Sequence, residues 1–388
     1  MSEKKTFMYV SSWEEHGGAP GLGQYLVNQE TGELQFVEMI NTEDSFNASW
    51  VDARRGKLYV NNEVPCFKEG EGASGRIFVY GLAGENGRAR EEGQIVTGCP
   101  NPAYVSLDHS GRYLFEAHHS CSLGVIRHSR DEKGEIRSRR ICAEADVQVY
   151  SLDEAGMAKK LVENIDHNEY EKDREAHPHC AVFSPSGKLM AVADKGTGKL
   201  YLYAFDYEKE KLTLLNSQMT DREEGAPRYV VFHPDKPYLF VNHEASYDGK
   251  CYVTSFRYGE EGELERVCVE NVLDPELPVK KGTRLEQQGF VIDPQGNYLY
   301  TLINAADVIA VMKIDQETGK LSHIRSCGVP GNRPRGLAMF PNGRFLLSMC
   351  LVGGELTVFA IGEEGRLTAV EQKYKQPGAS YASFYEPQ

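Results

Sequence analysis

Apolar and polar positions alternate along this chain in short runs, and the runs come in pairs. In AHPHCAVFSPSGKLMAVADKG, from Ala176, one apolar run ends at a turn built on Pro185, Ser186 and Gly187, and a second ends at Asp194. The arrangement recurs in NPAYVSLDHSGRYLFEAHHS from Asn101, APRYVVFHPDKPYLFVNHEAS from Ala226, EQQGFVIDPQGNYLYTLINAA from Glu286 and RPRGLAMFPNGRFLLSMCLVG from Arg333. A worn copy, NASWVDARRGKLYVNNEV, starts at Asn47. Proline presets one turn dihedral and glycine supplies the positive one, so each copy predicts a β-hairpin turning at Gly56, Gly111, Gly187, Gly296 or Gly343. Lys236-Pro237 takes that place in the copy from Ala226.

Most copies continue into a third and fourth strand, as in KLYLYAFD with LTLLNSQM and VIAVMKID with LSHIRSC. Units of about 50 residues, each a four-stranded antiparallel meander, predict an all-β chain folded as a β-propeller. Six copies are internal. TFMYVSSW and GLGQYLVNQETGELQFVEM near the N-terminus and GASYASFYE near the C-terminus have no hairpin of their own. Joined in one blade, they close the ring and remove its exposed edges. The expectation is a seven-bladed β-propeller forming a single domain over 1–388. The longest insertions, 66–75, 128–148 and 154–175, are expected to be charged loops.

This pattern gives the chemistry a place. The residue entering a first strand and the residue leaving its antiparallel partner share one rim of the channel. Arg228 is thereby set beside Glu244, His179 beside Asp194, Tyr104 beside His118 and His119, and Arg335 beside Met349 and Cys350. Glu63, with Asn61 and Asn62, joins the same rim from the worn copy. His177 lies two residues before His179 and shares its face in an extended strand. An imidazole suits acid/base work near neutral pH. Two Pro-Arg strand entrances offer planar forks for a carboxylate, a phosphate or an oxyanion.

Composition narrows the partners. The formal net charge of −14 over 388 residues argues against nucleic acid. No run of about 18 apolar residues is present to span a bilayer, and MSEKKTFMYVSSW lacks the apolar core of a secretory leader. The nine cysteines include no C-x-x-C pair, which fits reduced thiols in a cytoplasmic protein. No G-x-S-x-G elbow occurs.

HPHCAVFSPSGKLMAVADKGTGKLYLYAFD, APRYVVFHPDKPYLFVNHE and NRPRGLAMFPNGRFLL resemble the seven-bladed propeller lactonases, which include bacterial 6-phosphogluconolactonases and fungal carboxy-muconate cyclising enzymes. The likeness covers nearly the whole chain. The shared rim places His177, His118, Tyr104, Glu63 and Asp194 around the substrate, and the likeness implies a site of His179, Arg228, Glu244 and Arg335 acting on an anionic lactone. It implies no metal and no other cofactor. The chain departs from the family's usual pattern in having Tyr104 in place of a histidine, and His118-His119 in place of Asn-Tyr. The expected activity is lactone hydrolysis. The alternatives are a muconate-lactone cycloisomerase and a non-catalytic propeller scaffold. A chain with two tryptophans and no Gly-His or Trp-Asp repeat signature does not look like a WD-repeat scaffold.

Overall fold

Each of the six hairpins is the inner half of a four-stranded blade in the computed structural model of the chain, which describes residues 5–14, 17–67, 74–120, 124–142, 144–171, 174–221, 225–245, 249–277 and 284–387. Seven strands, one from each blade, form the innermost ring: β1 (Ser49–Asp52), β2 (Pro102–Leu107), β3 (Pro178–Phe183), β4 (Pro227–Phe232), β5 (Glu286–Ile292), β6 (Asn332–Met339) and β7 (Ala379–Tyr385). Each touches the next and β7 touches β1, so the ring is closed. The strand β7 pairs antiparallel with Thr6–Ser12, which pairs in turn with Gly21–Val27. The two ends of the chain therefore share one blade, as the unmatched terminal segments implied.

The turn glycines adopt the expected left-handed backbone, with φ from 60° at Gly56 to 72° at Gly187. The copy without a glycine uses another device. His233 stands where Asp108 and Asp293 cap their turns, and its Nδ1 accepts the backbone N–H groups of Asp235 and Lys236 at 3.1 and 3.0 Å. Burial follows position in the blade. The second strand Leu189–Asp194 is buried throughout, whereas the outer strand Lys211–Met219 turns several residues to solvent. Aromatic edges lock adjacent blades together. The ring of Phe115 lies 4.8 Å from that of Phe183 and 5.3 Å from that of Phe205.

The expectation of charged loops over 128–148 and 154–175 is corrected. Asp146–Leu152 and Ala158–Asp166 are the third and fourth strands of the blade begun by β2. Gly124–Arg130 and Ile136–Cys142 pair as a separate hairpin inserted before them. Charge misled because Ala158–Asp166 is an outer strand with one exposed face, where Lys and Glu are tolerated. Of the segment 66–75, residues 68–73 lie outside the described residues.

One irregularity recurs at the strand entrances. The ladder slips between Pro178 and Cys180, between Pro227 and Val230, between Pro334 and Gly336, and between Pro102 and Tyr104. A β-bulge leaves the extra residue unpaired and re-aims its side chain. In the blades of Pro178, Pro334 and Pro102 that residue is His179, Arg335 or Ala103; between Pro227 and Val230 both Arg228 and Tyr229 are passed over, and a further slip, between Gln287 and Phe290, has no proline. The proline helps, because it has no N–H to offer the ladder at that point.

Candidate active site

The bulges aim their side chains into a cavity of about 340 Å³ at one end of the channel. His179, Arg228 and Arg335 line it, joined by Glu244, Glu63 and Lys195. Glu244 is the centre of the charge network. Its two carboxylate oxygens each accept from Lys195 Nζ at 3.1 Å, and one also accepts from Arg228. Arg228 lies 5.1 Å from the ring centroid of Tyr229. Arg335 is 3.9 Å from the ring of Trp13 and 3.6 Å from Glu63. The His179 ring stands 5.6 Å from that of His119 and 5.3 Å from that of Tyr229, and its Nδ1 has no hydrogen-bond partner among the described residues.

A family model described as lactonase, seven-bladed β-propeller, matches residues 7–384. The chain belongs to that family. A 6-phosphogluconolactonase of Bacillus subtilis is 23% identical over 375 residues, covering 95% of each chain. Among solved structures, a periplasmic gluconolactonase of Pseudomonas aeruginosa aligns with a TM-score of 0.79 at 21% identity, covering 99% of this chain and all of the other. A Lactobacillus plantarum protein aligns with a TM-score of 0.78 at 17% identity, covering 98% of this chain. At family level, the function is that of a lactonase.

Electrostatics sets the two acid/base candidates of this lactonase apart. Burial drives the His179 imidazole well below its usual value, and the nearby Arg228 and Lys195 cations push the same way. It is therefore neutral near pH 7. His119 is lowered likewise, by burial and then by Lys195. Burial opposes ionisation of Glu244, but Lys195 and Arg228 prevail and hold its carboxyl well below the usual range. Burial and the facing Arg228 pull Arg335 down from its ordinary value.

The other expected site residues sit behind the wall. His118 is fully buried, and its Nδ1 lies 2.9 Å from Asp146. Tyr104 is buried against the rings of Tyr229 and Tyr381. Asp194 is buried, 2.9 Å from His167 Nδ1, and accepts the backbone N–H groups of His177, Gly196 and Thr197 at 2.8, 3.0 and 3.1 Å. It clamps the turn that carries Lys195. His177 places Nδ1 2.6 Å from the His119 carbonyl oxygen. The physical reason is common to all four. The bulge breaks the simple alternation from which facing residues were assigned.

Lys195 and Trp13 went unread in the sequence, and His119 was not separated from His118. A signal existed for two of them. The ladder pairs Pro178 with Asp194, Pro227 with His243, Pro102 with His118 and Pro334 with Cys350. The next residues, Lys195, Glu244, His119 and Leu351, all line the cavity. In three blades that residue donates its backbone N–H to the residue before the entrance proline: Lys195 to His177, Glu244 to Ala226 and His119 to Asn101, at 3.1, 2.7 and 3.0 Å. Trp13 comes from the closing blade, where no copy exists to align.

The dense ligand-type cluster among the described residues is Cys99, His118 and Asp146, all buried behind the wall, rather than the rim histidines.

Proposed function

We propose that this protein hydrolyses an anionic sugar lactone of the 6-phosphogluconolactone class. The observation that carries this is the sign of the cavity. Lys195, Arg228, Arg284, Arg333 and Arg335 line it against Glu63, Glu244 and Glu286, an excess of positive charge in a chain of net charge −14. A cationic pocket in an acidic protein concentrates an anionic substrate. The names carried by relatives such as the Bacillus subtilis protein agree with this substrate class.

In the proposed mechanism neutral His179 takes a proton from water. The resulting hydroxide adds to the lactone carbonyl. Arg228 and Arg335 stabilise the oxyanion so formed, in a site with little water to compete. As the intermediate collapses, the ring C–O bond breaks and protonated His179 returns its proton to the leaving alkoxide. The product is the open hydroxy acid. Glu244 stays ionised, holding Lys195 and Arg228 in place while balancing their charge. A cytoplasmic location belongs to this reading and is supported by seven described cysteines with free thiols.

The test is a substrate panel. Purified protein is given 6-phosphogluconolactone, gluconolactone and a carboxylated muconolactone, and acid release is followed. The phosphorylated sugar lactone should be turned over fastest. Conversion of the muconolactone without acid release would replace hydrolysis by cycloisomerisation. Inactivity on all three would favour a binding propeller.

A further inference from the structure

Two arginines open the sequence RPRG, and only the second is explained by the mechanism above. Arg333 lines the same cavity and is half-buried. Each other cation of the wall has a carboxylate partner: Lys195 and Arg228 have Glu244, Arg335 has Glu63, and Arg284 has Glu286. Arg333 has no ion pair among the described residues.

Its backbone is equally unusual. Arg333 has a φ of 59° and directly precedes Pro334. A non-glycine residue rarely enters the left-handed region, and a following proline favours extended backbone instead. The neighbouring pairing holds it there. Asn332 pairs with Val352 and Pro334 with Cys350, on either side of it. The same position in another blade offers a comparison. Asn101 precedes Pro102, has a φ of 50° and also lines the cavity. Asparagine visits this conformation more readily than arginine. A strained residue held at a ligand site points to function.

We infer that Arg333 is a specificity residue that grips a second anionic group of the substrate, one carried away from the lactone carbonyl. This rests on the hydrolase reading and narrows it to lactones bearing a terminal phosphate or similar anion. In the proposed mechanism Arg228 and Arg335 are engaged with the carbonyl. An unpaired guanidinium at the half-exposed side is free to bind a phosphate through two N–H groups.

Arg333→Asn tests it, because asparagine suits the backbone and removes the fork. The ratio of kcat/KM for 6-phosphogluconolactone over gluconolactone should fall at least tenfold, chiefly through KM, with no loss of Tm. Titration with inorganic phosphate, followed by calorimetry, gives a readout that needs no turnover. The wild type should bind phosphate at least tenfold more tightly than the variant. An unchanged ratio, an equal fall on both lactones, or equal phosphate binding would each overturn the inference. Tighter phosphate binding by the wild type in a protein that hydrolyses no lactone would uphold the anion site while refuting the hydrolase reading.

Discussion

At the scale of single residues, the same cations act in opposite ways on His179 and Glu244. They keep the imidazole neutral and the carboxyl ionised. A carboxylate already shared by Lys195 and Arg228 is a weak base, and the proposed mechanism therefore gives proton transfer to His179. His179→Ala should lower kcat by about 100-fold or more while Tm stays near the wild-type value. Glu244→Gln should lower activity and stability together. It leaves buried Arg228 and half-buried Lys195 without their counter-charge, at a cost of about 3 kcal/mol, readable by chemical denaturation. The pH profile follows from the lowered His179 value. The base is deprotonated at pH 6.5, so kcat/KM should stay level down through that pH and fall only in more acid solution. A midpoint at or above 6.5 would contradict the assignment. Arg335→Lys keeps a positive charge but loses the planar group that stacks on Trp13. Its kcat/KM should fall at least tenfold with Tm nearly unchanged.

At the scale of elements, the hairpin is the unit that was legible. Turn glycines, apolar runs and their spacing give all six inner hairpins and the closing blade. What was not legible is the bulge. Nothing in HPHC or APRY announces an extra residue in the ladder, since a bulge is a property of two paired strands. The site was therefore half read. His179, Arg228, Glu244, Arg335 and Glu63 line the cavity, while His118, Tyr104, Asp194 and His177 form its backing. Close contact between inner strands also escaped notice. A Cβ on Gly336 would lie 2.4 Å from the Ser380 carbonyl oxygen of β7. Gly336→Ala should therefore push β6 and β7 apart and lower Tm by several degrees, more than Gly→Ala at the open end of an outer strand such as Gly328, where a Cβ meets nothing within 4 Å.

At the scale of the whole molecule, stability depends on ring closure and on buried imidazoles. Removing residues 379–387 deletes β7, bares the edge of Thr6–Ser12 and takes away the packing of β7 against β6 and β1. The truncated chain should lose the cooperative melting transition of the full protein. Burial depresses His243 to about 3 and lowers His119 and His179 as well. Their folded values lie below the unfolded one, so the unfolded chain binds protons first. The stability they contribute is complete above about pH 6.5 and is lost as the pH falls. Glu116 and Asp293, buried and raised by desolvation, act in the opposite sense above about pH 4, against these three imidazoles and His233, which burial also lowers. Tm should accordingly drop between pH 7 and pH 5. The cluster of Cys99, His118 and Asp146 is buried backing behind the cavity wall, with His118 Nδ1 2.9 Å from Asp146. Dialysis against a chelator should leave activity and Tm unchanged. Loss of either, restored by a divalent ion, would make those three residues ligands.

The central claim, that a neutral His179 in a cationic propeller cavity hydrolyses an anionic lactone, is tested most directly by steady-state acid release from 6-phosphogluconolactone, with wild type and His179→Ala side by side. The account predicts saturable hydrolysis above the spontaneous rate by the wild type, and about 100-fold less or lower by a variant that melts at the same temperature. Equal rates for the two proteins, or a wild type no faster than buffer, would contradict it.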